Sequence, residues 1–247
     1  MVRVGLLTIG QSPRADILTD WKFKKDQIEK FKSMDVLVPP RGSPIPMNVE
    51  FVHLGALDDI PPERMHEIQP PKEKGGLISR LKDGSWTAID HEKIKPMMIR
   101  SVERLEEAGC EAILQLCTGG FNYLQPNVLY FKAGTLCRSL IESVLKPSGR
   151  LGVFHPFPSK TAPKMERSER WGGREVFSIN ANPYDPPPES ITPAIEEMSK
   201  QDVDLVYMGC LGYGLEHKKI AMEILGKPVI LPRSVSARTL AELYSVE

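Results

Sequence analysis

Eight short apolar runs constrain this chain more than any other feature: Val4 to Ile9, Val36 to Val38, Val49 to Leu54, Ala112 to Leu116, Leu151 to Phe154, Val176 to Ile179, Leu205 to Met208 and Val229 to Leu231. They are rich in leucine and β-branched residues and do not alternate with polar ones, which is the pattern of strands buried on both faces of a parallel sheet. Helix-like stretches lie between them. The one ending at Gly109 carries Met98, Val102, Leu105 and Ala108 on one face, with Gly109 as its C-cap. Another, from Thr135 to Leu145, turns Leu136, Leu140, Ile141 and Val144 the same way. Strand and helix therefore alternate, which predicts an α/β protein with parallel sheets.

One segment departs from this rhythm. From Ile78 to Ile89, apolar residues flank the pair Asp83-Gly84, the strongest short-range hairpin signal, and predict an antiparallel flap. Prolines gather at 39–46, at 61–62 with 70–71, and at 183–188, and read as loops because periodic segments continue on both sides. A faint internal repeat is also present. Val4-Gly5-Leu6-Leu7-Thr8-Ile9 is echoed by Leu151-Gly152-Val153-Phe154-His155-Pro156, and the strand ending at Cys117 by the strand ending at Cys210. Two related α/β halves follow, the first enlarged by the hairpin. Residues 1–132 with 232–247 are expected to form the first half, its insertion near 77–90, and residues 133–231 the second.

The charge balance narrows the function. Lys plus Arg equals Asp plus Glu at 32 each, so the net charge is zero, unlike a basic nucleic-acid binder or a polybasic membrane-surface protein. No apolar run reaches the roughly 18 residues of a membrane span, and Met1 to Leu7 enters a strand without signal-peptide features, so a cytoplasmic protein is expected. Four cysteines without a Cys-x-x-Cys pair, and five histidines without a His-Glu-x-x-His helix, suggest no metal. Neither a Walker loop nor Gly-x-Gly-x-x-Gly follows any strand, so no cofactor is expected.

Ligands of open α/β sheets sit beyond the carboxyl ends of the strands. Cys117, before Thr118-Gly119-Gly120, and Cys210, before Leu211-Gly212-Tyr213-Gly214, both lie there. Small residues after each thiol let backbone N–H groups approach a ligand, and the same field favours thiolate. Cys110 and Cys137 read as packing residues.

The segments Leu116-Cys117-Thr118-Gly119 and Met208-Gly209-Cys210-Leu211-Gly212-Tyr213 resemble the paired cysteine motifs of the aspartate/glutamate racemase superfamily. The opening Leu7 to Asp16, together with Pro228 to Leu231 and Ala237-Arg238, resembles its AroM branch. The resemblance covers the whole chain. It implies two pseudo-symmetric, Rossmann-like parallel-sheet halves with a cleft between them, holding a small carboxylate. It further implies a cofactor-independent racemase or isomerase in which one cysteine removes the α-proton and the other returns one on the opposite face. Two departures stand out. Superfamily racemases commonly carry Asn-Thr after the first cysteine and Thr-His after the second, where this chain has Thr118-Gly119 and Leu211-Gly212; His217 could replace the missing histidine.

Racemisation also needs donors for the carboxylate and for the enolate-like charge. Gln11, Ser12 and Arg14 are the candidates of the first half, with Ser12-Pro13 also fitting a helix cap followed by proline. His155, Ser159 and Lys160 are those of the second, and Thr118, Gly119, Leu211, Gly212 and Ser234 complete the binding set, with Arg233 beside Ser234 also within reach. Tyr213 fits a substrate wall or a core aromatic equally. The alternatives are a single-thiol decarboxylase or cis-trans isomerase, or a small-molecule sensor without turnover. The expected partner is a small carboxylate, not nucleic acid or membrane, with a homodimer as the assembly to test.

Overall fold

The computed structural model describes residues 1–71, 75–156, 163–187 and 189–245. The chain divides into two compact units, Met1–Ala133 with Ser236–Glu247, and Gly134–Val235.

The sheet of the first unit is built from β1 (Val2–Thr8), β2 (Val36–Leu37), β3 (Val49–Gly55), β6 (Ala112–Gln115) and β7 (Leu129–Lys132), in the order β2-β3-β1-β6-β7. Between β3 and β6 lie the hairpin strands β4 (Leu77–Arg80) and β5 (Trp86–Ile89). The sheet of the second unit holds β8 (Leu151–His155), β9 (Met165–Ser168), β10 (Arg174–Asn180), β11 (Leu205–Met208) and β12 (Val229–Ile230), in the order β12-β11-β8-β10-β9.

Read from the other edge, the second sheet repeats the first. In each, the opening strand is central, its two neighbours run parallel to it, a fourth parallel strand closes one edge, and a short antiparallel strand closes the other. The repeat between Val4–Ile9 and Leu151–Pro156 thus marks the central strand of each sheet.

The helices are α1 (Ala15–Asp20), α2 (Lys25–Glu29), α3 (His91–Glu107), α4 (Ala133–Val144), α5 (Thr192–Ser199), α6 (Leu215–Leu225) and α7 (Pro232–Tyr244). α3 starts where the Asp90 carboxylate accepts from the amides of Glu92 and Lys93, and stops before Gly109, whose φ of +76° suits glycine. Both faces of the second sheet are covered: Phe154, Val206 and Met208 pack with residues of α5, while Val153 and Tyr207 pack with Cys137 and Ile141 of α4. This two-sided burial explains the unbroken apolar strands.

The structure corrects one expectation, adds two strands and bears out the hairpin. Val36–Leu37 is not a buried parallel strand: it pairs antiparallel with β3 at the sheet edge, and Val36 is exposed. Two further strands lie outside the eight runs: β7, the short Leu-Tyr-Phe-Lys, and β9, the polar Met-Glu-Arg-Ser. The expected antiparallel hairpin is present, with its turn at Asp83-Gly84 (Gly84 φ +90°), and it is held against the first loop: the Gln11 amide donates to the carbonyl of Arg80, and Ser79 packs where a side chain on Gly10 would stand.

Among the described residues no helix is long and apolar enough to cross a membrane.

Candidate active site

In each unit the central strand and the third strand leave the sheet side by side at its switch point, where doubly wound sheets bind ligands. In the first unit Leu7 is opposite Gln115 and the Leu116 amide donates to Leu7, so the loop after β1 and the loop carrying Cys117 start together. In the second, Phe154 is opposite Met208 and the Gly209 amide donates to Phe154 at 2.7 Å, which brings His155, the last residue of β8, beside the Cys210 loop.

The two thiols occupy equivalent places, each two residues beyond its strand, and both are half-buried. Each accepts a backbone N–H from the residue two further on: Gly119 donates to Cys117 Sγ at 3.4 Å, and Gly212 to Cys210 Sγ at 3.3 Å. Such donation favours the anionic sulfur.

A different side chain braces each loop. Gln115 Nε2 donates to the carbonyls of Cys117 (2.6 Å) and Gly119 (2.8 Å), and the Tyr130 hydroxyl orients it by donating to Oε1. Arg233 donates to the carbonyls of Leu211 and Gly212.

Around Cys210, a side chain on Gly212 would collide with Pro183 and the Tyr184 ring, so glycine lets that segment lie against the loop, with the Tyr184 hydroxyl 4.0 Å from Sγ. Tyr213 is a core aromatic rather than an open wall: it is fully buried, its hydroxyl donates to Ala181, and burial pushes its phenol well up. His217 is also buried; its Nδ1 accepts from the Gly214 amide, which caps α6.

Ser12 is fully buried and does not cap α1, whose flanking residue is Arg14; its amide and hydroxyl both donate to Asp58, which also takes the Gly55 amide. The Arg14 guanidinium is buried and engages Asp16 through Nε and Nη2. Gln11 is held from two sides, donating to the Leu57 carbonyl and accepting from the Lys82 amide. Thr118 is half-buried, and Leu211 is buried. Ser234 lies in the first turn of α7, where its amide donates to Leu231; its neighbour Arg233 is the side chain that reaches the Cys210 loop. Ser159 and Lys160 lie outside the described residues.

Asp58, Gln115, Tyr130 and Tyr184 were not among the residues singled out from the sequence. Gln115 left a signal, as a polar residue closing an otherwise apolar strand; Asp58 left none.

The AroM protein family's sequence pattern matches residues 34–244. The chain belongs to the AroM family. No curated protein matches this sequence. Among solved structures, this AroM chain is similar to a glutamate racemase isoform from Bacillus anthracis, with 13% identity, a TM-score of 0.54, and coverage of 98% of this chain and 81% of that one. It is similar also to the allantoin racemase from Klebsiella pneumoniae (12%, TM-score 0.55, 100% and 89% covered). An unliganded arylmalonate decarboxylase is a third likeness (10%, TM-score 0.54, 100% and 94% covered). At these identities the likeness establishes the fold of the AroM chain.

The environments of the four thiols predict their reactivity. Burial pushes Cys110 up to about 11 and Cys137 up to about 12, so both stay protonated at neutral pH. Brief iodoacetamide treatment of the native AroM protein should therefore label Cys117 and Cys210 first, as read by peptide mass spectrometry. Labelling of Cys110 or Cys137 ahead of them would reject this assignment.

Proposed function

We propose that this protein is a cofactor-independent racemase-like isomerase of a small carboxylic or amino acid, with Cys117 and Cys210 as its acid and base. One sulfur, as thiolate, takes the α-proton and becomes a thiol. The other thiol gives its proton to the opposite face of the same carbon and becomes a thiolate. No electrons change hands, so no redox cofactor is needed.

The observation that carries this reading is the equivalence of the two thiols: the same strand-end position in two sheets of the same order, and the same N–H donated to each sulfur. A lone packing cysteine gives no reason for the second copy. The other backbone N–H groups of these glycine-containing loops suit the substrate carboxylate and the charge that develops on it. In this reading Gln11, Thr118 and His155 line the substrate, while Ser12 and Arg14 hold the first loop in shape.

The test is proton exchange in D2O, followed by NMR, over a panel of small α-substituted carboxylic acids. Wild-type protein should exchange the α-proton of at least one acid and interconvert its enantiomers, and Cys117→Ala and Cys210→Ala should each stop the interconversion. Interconversion that survives either substitution overturns the two-thiol reading. Loss in one variant alone supports a single-thiol lyase or isomerase, and an acid that raises the melting temperature without exchange supports a sensor.

A further inference from the structure

The braces of the two thiol loops differ in charge, and one of them acts on the group that touches sulfur. Arg233 is 2% exposed. Its Nε and Nη2 donate to the Leu211 carbonyl at 3.0 and 2.5 Å, and Nη2 also reaches the Gly212 carbonyl at 2.9 Å. The Leu211 carbonyl and the Gly212 amide belong to one peptide group, and that amide is the donor to Cys210 Sγ. This peptide is trans, so its oxygen and hydrogen point to opposite sides. The guanidinium therefore stands at the negative end of the peptide dipole and the sulfur at the positive end. A cation on the carbonyl draws electron density toward oxygen and makes the N–H a stronger donor, the cooperative effect of a hydrogen-bond chain in a low-dielectric setting. Arginine keeps its charge at every accessible pH.

At Cys117 the brace is neutral. The Gln115 amide holds the carbonyls of Cys117 and Gly119, on either side of the peptide whose N–H meets that sulfur. Among the described residues the titratable groups around the Cys210 loop are the phenols of Tyr184 and Tyr213, the His155 imidazole at the end of β8, and His217 one turn along α6. Neither phenol carries a positive charge in any state.

We infer that Arg233, acting through the Leu211–Gly212 peptide, holds Cys210 as a thiolate and makes it the resting base of the pair. This rests on the two-thiol reading for the word base; the effect on the thiol stands without it. Arg233 is a positioning residue here, since it touches the loop and not the reacting carbon in this role. The consequence for turnover is directional. The free protein starts with its base on the Cys210 side, so it accepts first the enantiomer whose α-hydrogen faces that sulfur.

The experiment is the pH profile of alkylation at each cysteine, resolved by mass spectrometry on the full-length protein, with no substrate present. In wild type the Cys210 midpoint should fall below both the roughly 8.5 of an ordinary thiol and the Cys117 midpoint. Arg233→Gln keeps a donor for the Leu211 carbonyl and removes the charge. It should raise the Cys210 midpoint by about one pH unit and slow alkylation at pH 7 by only about threefold, because a more basic thiolate is also more nucleophilic. Arg233→Lys should stay close to wild type, and the Cys117 profile should stay in place throughout. A wild-type Cys210 midpoint at or above that of Cys117 overturns the inference without any variant. So does a folded Arg233→Gln protein whose Cys210 profile is unmoved, or one in which both thiols shift equally. Should Arg233→Gln fail to fold, the wild-type comparison and Arg233→Lys decide. A protein with this profile but no proton exchange on any acid would retire the proposed reaction and leave the role of Arg233 standing.

Discussion

Gly55→Ala should destabilise the first unit by about 3 kcal/mol, the upper range for overpacking a well-filled site. A methyl at this position would stand 2.5 Å from the Gly10 carbonyl, 2.7 Å from the Ser12 amide and 2.7 Å from Asp58 Oδ1. Two of these neighbours are backbone and cannot swing aside as a flexible side chain would. The loop after β1 must lift, and as it lifts it surrenders the bonds of Asp58 to Ser12 and to the Gly55 amide. Urea unfolding monitored at Trp21, which is buried in the same unit, measures the loss. Asp58→Asn should cost less, because it keeps one acceptor oxygen for the Ser12 and Gly55 donors. A midpoint for Gly55→Ala within error of wild type would show that the loop is not held as described.

The second large effect is an acid limb set by His53. This residue sits in the middle of β3 opposite Leu6, is fully buried, and has no hydrogen-bond partner on either ring nitrogen among the described residues. Burial, with the nearby Arg14 guanidinium, lowers its pKa to about 3, so the folded protein holds it neutral. An unfolded chain binds a proton there near 6.5. Between those values the unfolded state carries the extra proton, and stability rises with pH. The contribution is thus fully present above pH 6.5 and is lost as pH falls toward 3, at about 1.4 kcal/mol per pH unit. By pH 4.5 the loss is about 2 to 3 kcal/mol. His53→Leu, close in volume, should flatten this limb and be neutral or stabilising at pH 7, since it also removes a buried polar ring without partners. Parallel urea titrations at pH 7 and 4.5 on both proteins measure the difference; an unchanged acid limb in the variant would sink the assignment.

Much of the fold was legible because burial on both faces of a sheet leaves little room for anything but apolar residues. The eight runs gave the three inner strands of each sheet and the hairpin announced itself through Asp83-Gly84. What stayed hidden lies where that pressure is absent. The edge strand β9 reads Met-Glu-Arg-Ser and is largely open to solvent, so pairing with β10, not side-chain burial, makes it a strand. Val36 misled for the converse reason, as an apolar residue on an exposed edge. In the candidate site, Cys117 and Cys210 could be picked out because strand ends are special places. The partners of Ser12 and Arg14 could not. Asp58 lies 46 residues from Ser12 and reaches it only through the pairing of β1 with β3. Arg14 spends its charge on Asp16, a neighbour that no sequence rule singles out from the other acids of the chain.

The donors that meet the two sulfurs belong to the main chain, and among the common amino acids only proline lacks one. Residue identity at 119 and 212 is consequently filtered by space alone: the Pro183–Tyr184 segment demands glycine at 212, and Leu77 and Phe121 crowd 119. A contact made this way survives the replacement of almost every side chain around it. Thr118 and Leu211, which stand between each cysteine and its glycine, give no donor to sulfur and can change without giving up that hydrogen bond. Drift of the letters beside each cysteine and persistence of the thiol environment are then compatible within one architecture.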